Sequence, residues 1–73
     1  MITKADLINL GYDLKTTLLK GGFDFVFADR PFIVSLSKHG TAEAIDETSS
    51  VVFTTDDIAK FKVWHLNNMT KTD

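Results

Sequence analysis

Two neighbouring runs of alternating residues constrain the fold of this chain more than any other feature. The runs are FDFVFA at 23–28 and FIVSLS at 32–37, and in each the large apolar side chains fall on every second position. That period places them on one face of a strand, so the runs predict two strands with a shared buried face. A turn at Asp29-Arg30, with Pro31 opening the second strand, makes the pair antiparallel. The resulting register pairs Phe32 with Phe27, Val34 with Phe25, and Leu36 with Phe23.

The next segment predicts a returning strand. KHG at 38–40 is typical of a three-residue hairpin loop whose glycine, Gly40, takes the left-handed conformation. TAEAIDE at 41–47 then returns with Ala42 and Ala44 on the core face. Because two alanines leave room above the sheet, we expect one of the helices to approach it at that point.

A helix is predicted near the amino terminus. The Thr3 side chain can accept a hydrogen bond from the amide of the third helical residue, and Asp6 lies favourably in the helix dipole. Leucines at helical spacing would allow this helix to run to Lys20, whereas Gly11 fits a left-handed cap that ends it earlier. The spacing leaves residues 12–20 open between helix and strand, and we favour the short helix.

The short helix leaves DLKTTLL as a strand that forms a hairpin with FDFVFA. Gly21-Gly22 is then the predicted two-residue turn, since glycine adopts the positive dihedral angles of a primed turn. Pairing Lys20 with Phe23 places Leu18 opposite Phe25, which puts leucine and phenylalanine side chains on one face.

The carboxy-terminal segment contains the strongest indication of an interaction surface. VVF at 51–53 predicts a further short strand, and TTDD at 54–57 is a second capping signature. In a helix that begins at Ile58, apolar side chains fall on nearly every side, although a sheet can bury only one of them. The side chains left over are candidates for contact with a partner. This candidate interface consists of Phe61, Trp64, His65 and Leu66.

An alternative for the same segment is one helical turn followed by the strand KFKVWHL, because its phenylalanine, valine and tryptophan suit a pleated surface. Such a strand could pair at the edge of the sheet. The pattern leaves residues 61–66 open between helix and strand. The polar end at 67–73 is expected to fray.

The order of these elements predicts a single α+β domain over residues 1–73. It has a short N-terminal helix, an antiparallel meander of three to five strands and a C-terminal helix, with the helices on one face of the sheet. A core of this size supplies roughly 3 to 5 kcal/mol. The chain has no cysteine that could add a disulfide. A second subunit is therefore the expected supplement.

Charge and motif content argue against several functional classes. The net charge is −2 and the basic residues are scattered, so direct binding of nucleic acid is not expected. No apolar run approaches the roughly 18 residues of a membrane span, and no cleavage signal is apparent, which favours a cytoplasmic protein. The chain shows no metal-ligand spacing, phosphate-binding loop or paired acid and base. We expect neither a metal nor a cofactor nor enzymatic activity.

The leading hypothesis is a small intracellular protein–protein interaction module that forms a homodimer or binds a host protein through the candidate interface. The alternative hypothesis is an acidic inhibitor that occupies a nucleic-acid-binding site on a host enzyme. Its phosphate-like surface would consist of Asp46, Glu47, Asp56 and Asp57.

A resemblance to other proteins covers about the second half of the chain. The stretch PFIVSLSKHGTAEAIDE, followed by a capped acidic helix start, resembles short uncharacterised proteins encoded in phages and prophages of Gram-positive bacteria. The resemblance implies an accessory role in that setting and assigns no functional residues. The FKVWHLNN ending departs from these proteins, in which a longer and more polar helix is expected.

Overall fold

A computed structural model describes residues 1–70 and shows an α+β domain. Its elements are α1 (Lys4–Asn9), β1 (Asp13–Thr17), β2 (Phe23–Val26), β3 (Ile33–Leu36), β4 (Ala42–Ile45), β5 (Val51–Thr55) and α2 (Ile58–Asn68). The strands form one antiparallel sheet in the order β1-β2-β3-β4-β5. The predicted fold class, a meander between two helices, is confirmed.

Helix α1 is short because it is capped at both ends. The Thr3 hydroxyl accepts from the Asp6 amide, and the Asp6 carboxylate accepts from the Thr3 amide. At the other end Gly11 has φ +103, and the Tyr12 amide donates to the carbonyl of Leu7 at 3.0 Å. A glycine in the left-handed conformation ends the helix, because it turns the chain so that the next backbone amides donate to the last helical carbonyls. The preference for the short helix is therefore confirmed.

The predicted β1–β2 turn and register are wrong. The loop is three residues long, 19–21, because the Leu18 amide donates to the Gly22 carbonyl at 2.8 Å. Gly21 takes the left-handed position at φ +91, as in three-residue hairpin loops. A Cβ on Gly22 would lie 2.9 Å from the carbonyl oxygen of Leu36. Gly22 is therefore required for close approach of the neighbouring strand, not for the turn.

This loop moves β1 by three residues relative to the prediction. Phe23 is paired with Thr17 and not with Lys20, a shift of three, whereas Phe25 is paired with Leu14 and not with Leu18, a shift of four. An irregularity between Leu14 and Thr16 then places these two residues on opposite faces of the sheet.

The registers of β2 with β3 and of β3 with β4 follow the alternation of the sequence. Phe25 pairs with Val34, which pairs with Ala44, and Phe23 pairs with Leu36 as predicted. The β2–β3 turn lies one residue earlier than predicted, since the amide of Arg30 donates to the carbonyl of Phe27.

The β3–β4 loop is the predicted three-residue loop, and the β4–β5 loop repeats its backbone hydrogen bonds. In the first, Gly40 is left-handed at φ +87 and its amide donates to the Ser37 carbonyl. In the second, Ser49 is left-handed at φ +67 and its amide donates to the Asp46 carbonyl. A serine there occupies a conformation that favours glycine.

Both helices pack on the same face of the sheet, as predicted. Leu7 of α1 and Phe61 of α2 are fully buried with the core-face residues of the strands, and the side chains of Ala42 and Ala44 are fully buried as well. The buried cluster consists of Ile2, Leu7, Tyr12, Phe25, Val34, Leu36, Ala42, Phe61 and Met69.

The opposite face of the sheet carries two rows of side chains, since residues paired across strands share a face. One row is polar and contains Asp24, Ser35, Glu43 and Thr54. The other row is aliphatic and contains Val26, Ile33, Ile45 and Val51.

Helix α2 begins at its predicted cap and continues beyond the predicted interface. The Asp57 carboxylate accepts from the Ala59 amide at 2.8 Å, and the helix extends to Asn68. The alternative strand at residues 61–66 is therefore wrong. Met69 is buried, and its carbonyl accepts from Arg30 Nε at 2.8 Å. The expected fraying thus does not hold for residues 67–70, and 71–73 lie outside the described residues.

Candidate functional site

Two residues of the predicted interface, Phe61 and His65, belong to the core instead. Phe61 is 0% exposed and His65 is 3% exposed. A side chain buried in this way cannot contact a partner unless the domain opens. The prediction that Phe61 and His65 belong to an interface is therefore corrected. Both side chains pack in the core.

His65 is buried because an aromatic cluster surrounds it and a hydroxyl satisfies it. The Tyr12 hydroxyl lies 2.8 Å from His65 Nδ1. The ring of Phe27 meets the imidazole edge-on at 4.8 Å between centroids, and Tyr12 lies 5.2 Å away. Burial lowers the pKa of His65 below 6.5 and raises the pKa of the Tyr12 phenol above 10.0. Both groups are therefore neutral near pH 7, and one hydrogen bond joins the phenol to the imidazole.

Trp64 lies between the core and the surface. Its ring stacks on Phe53 at 5.6 Å with an interplanar angle of 5°, and it meets the edge of Phe32 at 5.4 Å. It is partly buried and also packs against Phe61 at 5.8 Å. Aromatic contacts on three sides hold the tryptophan in a fixed position at the margin of the core.

The outer side of α2 is the part of the helix that the sheet does not cover. Ala59, Lys62, Val63 and Leu66 are all exposed and follow the i, i+3, i+4, i+7 spacing of one helix face. Val63 is 61% exposed and Leu66 is 62% exposed. Leu66 is thus the member of the predicted interface whose side chain is mostly exposed.

A groove of about 430 Å³ lies between α2 and strand β5, and Val63 is the member of this exposed face that lines it. Aromatic rings form part of its wall, and Lys60 supplies the one charged side chain that residues 1–70 contribute to its lining. The groove is lined by Phe53, Lys60, Val63, Trp64, Asn67 and Asn68. All of these residues come from β5 or α2, so the groove lies at the β5 side of the sheet and not above its centre.

Strand β5 is an edge of the sheet, and it differs from the other edge strand. β1 includes Asp13 and Lys15, whereas β5, with the sequence VVFTT, has no charged residue. Val51 and Val52 are about half exposed. Charged side chains discourage pairing with another chain at an edge, so β5 is the less protected of the two edges.

The four acidic residues of the alternative hypothesis lie at the two ends of β5. Asp46 and Glu47 precede the strand, and Asp56 and Asp57 follow it. Asp46 lies beside Ser50, whose carbonyl accepts from the Asp46 amide, and at about 3.3 Å per residue the six steps from Ser50 to Asp56 span about 20 Å. They therefore do not form one continuous acidic surface.

Asp46 also organises its own loop. Its Oδ1 accepts from the Thr48 amide, the Thr48 hydroxyl and the Ser50 amide at 2.7 to 3.0 Å. The hydrogen bond from the Thr48 hydroxyl, followed by the one from the Ser50 amide, lowers the pKa of Asp46 below 3.8. Asp46 is consequently ionised throughout the physiological range.

A second pocket, of about 270 Å³, lies between the β1–β2 and β3–β4 hairpins, and Lys20, Lys38 and His39 are among its lining residues. No group of three or more His, Asp or Glu side chains within residues 1–70 is placed to hold a metal ion. In the same range, no helix is long and apolar enough to cross a membrane.

Two features of the site were not predicted from the sequence, namely Val63 and the edge of β5. Val63 lies four residues after Ala59, just as Leu66 lies four residues after Lys62. The i, i+4 pattern could therefore have identified Val63 as part of the same helix face. The lack of any charge in VVFTT could have marked β5 as an open edge. Phe53 is recognisable as a groove residue only once β5 and α2 are seen to pack together.

Comparison with family models, with curated proteins and with solved structures gives no match to this chain.

Proposed function

We propose that this chain is a small protein–protein interaction module that binds its partner at the groove between β5 and α2. The observation that carries the proposal is an apolar groove of about 430 Å³, bordered by the exposed Val63 and walled by the fixed Trp64 ring. Leu66 adds a second exposed aliphatic side chain to the same helix face.

Exposed apolar surface next to a preorganised aromatic ring favours binding for two physical reasons. Removing apolar area from water contributes about 25 cal/mol per Å² to association, and the loss of conformational and rigid-body freedom offsets part of this gain. A side chain already held in place loses little further conformational freedom when a partner arrives. Trp64 is held in that way by Phe53 and Phe32, and tryptophan is among the residues that dominate interface energies.

The proposal places the module inside a cell and gives it no catalytic role. In support, the described residues that line the groove are two asparagines, one lysine and apolar residues, and they include no paired acid and base. The resemblance of the PFIVSLSKHGTAEAIDE stretch to phage and prophage proteins supports an accessory role in that setting. The acidic-inhibitor alternative is less favoured because its four carboxylates are divided between the two ends of β5.

The test is a selection of random dodecapeptides displayed on a surface, carried out against the whole chain. Peptides selected on the wild type should bind Val63→Asp about tenfold more weakly, since the charge would enter an apolar groove. Leu19→Asp is the matched control, because Leu19 is an exposed leucine in the β1–β2 loop, away from the groove.

Urea unfolding of both variants should match the wild type within about 0.5 kcal/mol, because both positions are exposed. The proposal is wrong if no peptide is enriched, or if the selected peptides bind Val63→Asp as tightly as the wild type.

A further inference from the structure

We infer that β5 accepts an extended segment of another protein as a sixth strand, and that this segment has an apolar centre with basic residues at both ends. The inference rests on the proposed function, since it uses the same groove, and it specifies the conformation and the charge of the partner. Three observations support it: the free edge, the position of Phe53 and the distribution of charge.

The first observation is the free edge. Within residues 1–70, β5 pairs with β4 alone, so its other side presents backbone amides and carbonyls that no described strand satisfies. An added strand would satisfy these groups, and main-chain hydrogen bonds of this kind supply affinity with little dependence on sequence. Val51, Val52, Thr54 and Thr55 are β-branched and Phe53 is aromatic, which favours an extended partner on a pleated surface.

The second observation is that Phe53 links the edge to the groove. Phe53 is a β5 residue and also lines the groove, where it stacks on Trp64. Residues paired across two strands share a face, so the residue opposite Phe53 would point into the groove. Lys60 lines the same groove. The side chains that enter it should therefore be apolar and not cationic.

The third observation is charge at the ends of the edge. Asp46 and Glu47 lie before β5, and Asp56 and Asp57 lie after it, whereas the strand itself is uncharged. A segment with lysine or arginine at both ends and apolar residues between them is complementary to that arrangement. Glu47, Asp56 and Asp57 have exposed side chains that can face such residues.

The same charges disfavour a second copy of this chain as the occupant. Antiparallel self-pairing about Phe53 would set Thr55 of one copy opposite Val51 of the other. Asp56 and Asp57 would then approach Glu47 in the β4–β5 loop of the second copy. Like charges would meet at both ends of the paired strands, which is destabilising.

The test uses the whole chain, labelled for nuclear magnetic resonance, and three synthetic peptides. The first is Lys-Lys-Val-Thr-Val-Thr-Val-Lys-Lys, which alternates apolar side chains between basic ends. The second replaces the lysines by glutamates. The third keeps the lysines and carries N-methyl groups on all five central residues, so that neither edge of the peptide can donate hydrogen bonds to β5.

The lysine peptide should bind and should slow hydrogen exchange of the β5 amides. The glutamate and N-methyl peptides should each bind about tenfold more weakly, or not at all. The loss caused by the glutamates should shrink at high salt, because screening weakens interactions between exposed charges.

Other results would overturn the inference in distinguishable ways. Equal binding of the N-methyl peptide would exclude strand addition, and equal binding of the glutamate peptide would exclude the basic partner. Failure of the lysine peptide to bind would also overturn the inference. The proposed function would survive each of these results if the dodecapeptides selected on the wild type still bound Val63→Asp more weakly than the wild type. A dimer that protects the β5 amides without any peptide would show that a second copy is the occupant.

Discussion

Replacing Tyr12 by phenylalanine would remove only the hydroxyl that lies 2.8 Å from His65 Nδ1. The phenyl ring would keep the contacts with Phe27 and Phe61, whose centroids lie 5.1 and 5.8 Å away. Both partners of the hydrogen bond are at most 3% exposed, so water replaces the lost hydroxyl poorly. A buried polar group left without its partner costs about 1 to 3 kcal/mol.

That cost is large for a domain of this size, whose core supplies roughly 3 to 5 kcal/mol. Urea unfolding followed by the fluorescence of Trp64, the only tryptophan, would measure it as a lower midpoint with an unchanged slope. The double variant Tyr12→Phe/His65→Leu is the control. It removes both polar groups, so it should be more stable than Tyr12→Phe alone. A free energy of unfolding for Tyr12→Phe within about 0.5 kcal/mol of the wild type would refute the reasoning.

The same pair predicts how stability depends on pH. Because the pKa of His65 is lowered in the folded state, the unfolded chain binds more protons just below pH 6.5. Stability should therefore be complete above pH 6.5 and fall as the pH drops towards the folded pKa, by at most about 1.4 kcal/mol per pH unit. Above pH 10.0 it should fall again, since only the unfolded chain readily loses the Tyr12 proton. The double variant should show neither contribution.

Three further predictions use the same urea assay. Ser49→Gly should raise stability by about 0.5 to 1 kcal/mol, because Ser49 occupies the left-handed conformation at φ +67; a lower midpoint would contradict this. Asp46→Ala should lower the midpoint and Asp46→Asn should restore most of the loss, since asparagine keeps an acceptor for the loop amides; equal losses would argue against the loop hydrogen bonds. Phe61→Ala should cost about 3 to 5 kcal/mol and unfold most molecules, whereas Leu66→Ala should change stability by less than about 0.5 kcal/mol; similar losses would contradict the burial of Phe61.

Local patterns predicted the parts of the fold that local interactions determine. The capping pair of Thr3 and Asp6 and the left-handed Gly11 define α1 without any help from the rest of the chain. The three-residue loop that ends at Gly40 fixes the register of β3 with β4 in the same way.

The β1–β2 register was missed because two adjacent glycines have different roles. Gly21 serves the loop, but Gly22 is required by the carbonyl of Leu36 on β3, a residue fourteen positions away. No pattern within the hairpin itself reveals that contact. The sequence suggested a turn at both glycines, and the error moved β1 by three residues.

The candidate interface was only partly predictable for a related reason. Helical spacing correctly showed that α2 has apolar residues on nearly every side, but it could not show how many surfaces would cover them. The core buries Phe61 and His65, and Phe53 and Phe32 cover part of Trp64. Those aromatic partners lie on other strands and loops, so Leu66 and the unpredicted Val63 are the side chains left exposed.

The solution mass of the chain tests most directly whether the groove and the β5 edge remain accessible to a different protein, or whether a second copy of the chain covers them. Light scattering after size exclusion, over a dilution series that reaches low micromolar concentrations, should give the monomer mass of 8.2 kDa throughout. A species of twice that mass, dissociated by Val63→Asp and unaffected by Leu19→Asp, would contradict the account, because a second copy would then occupy the groove.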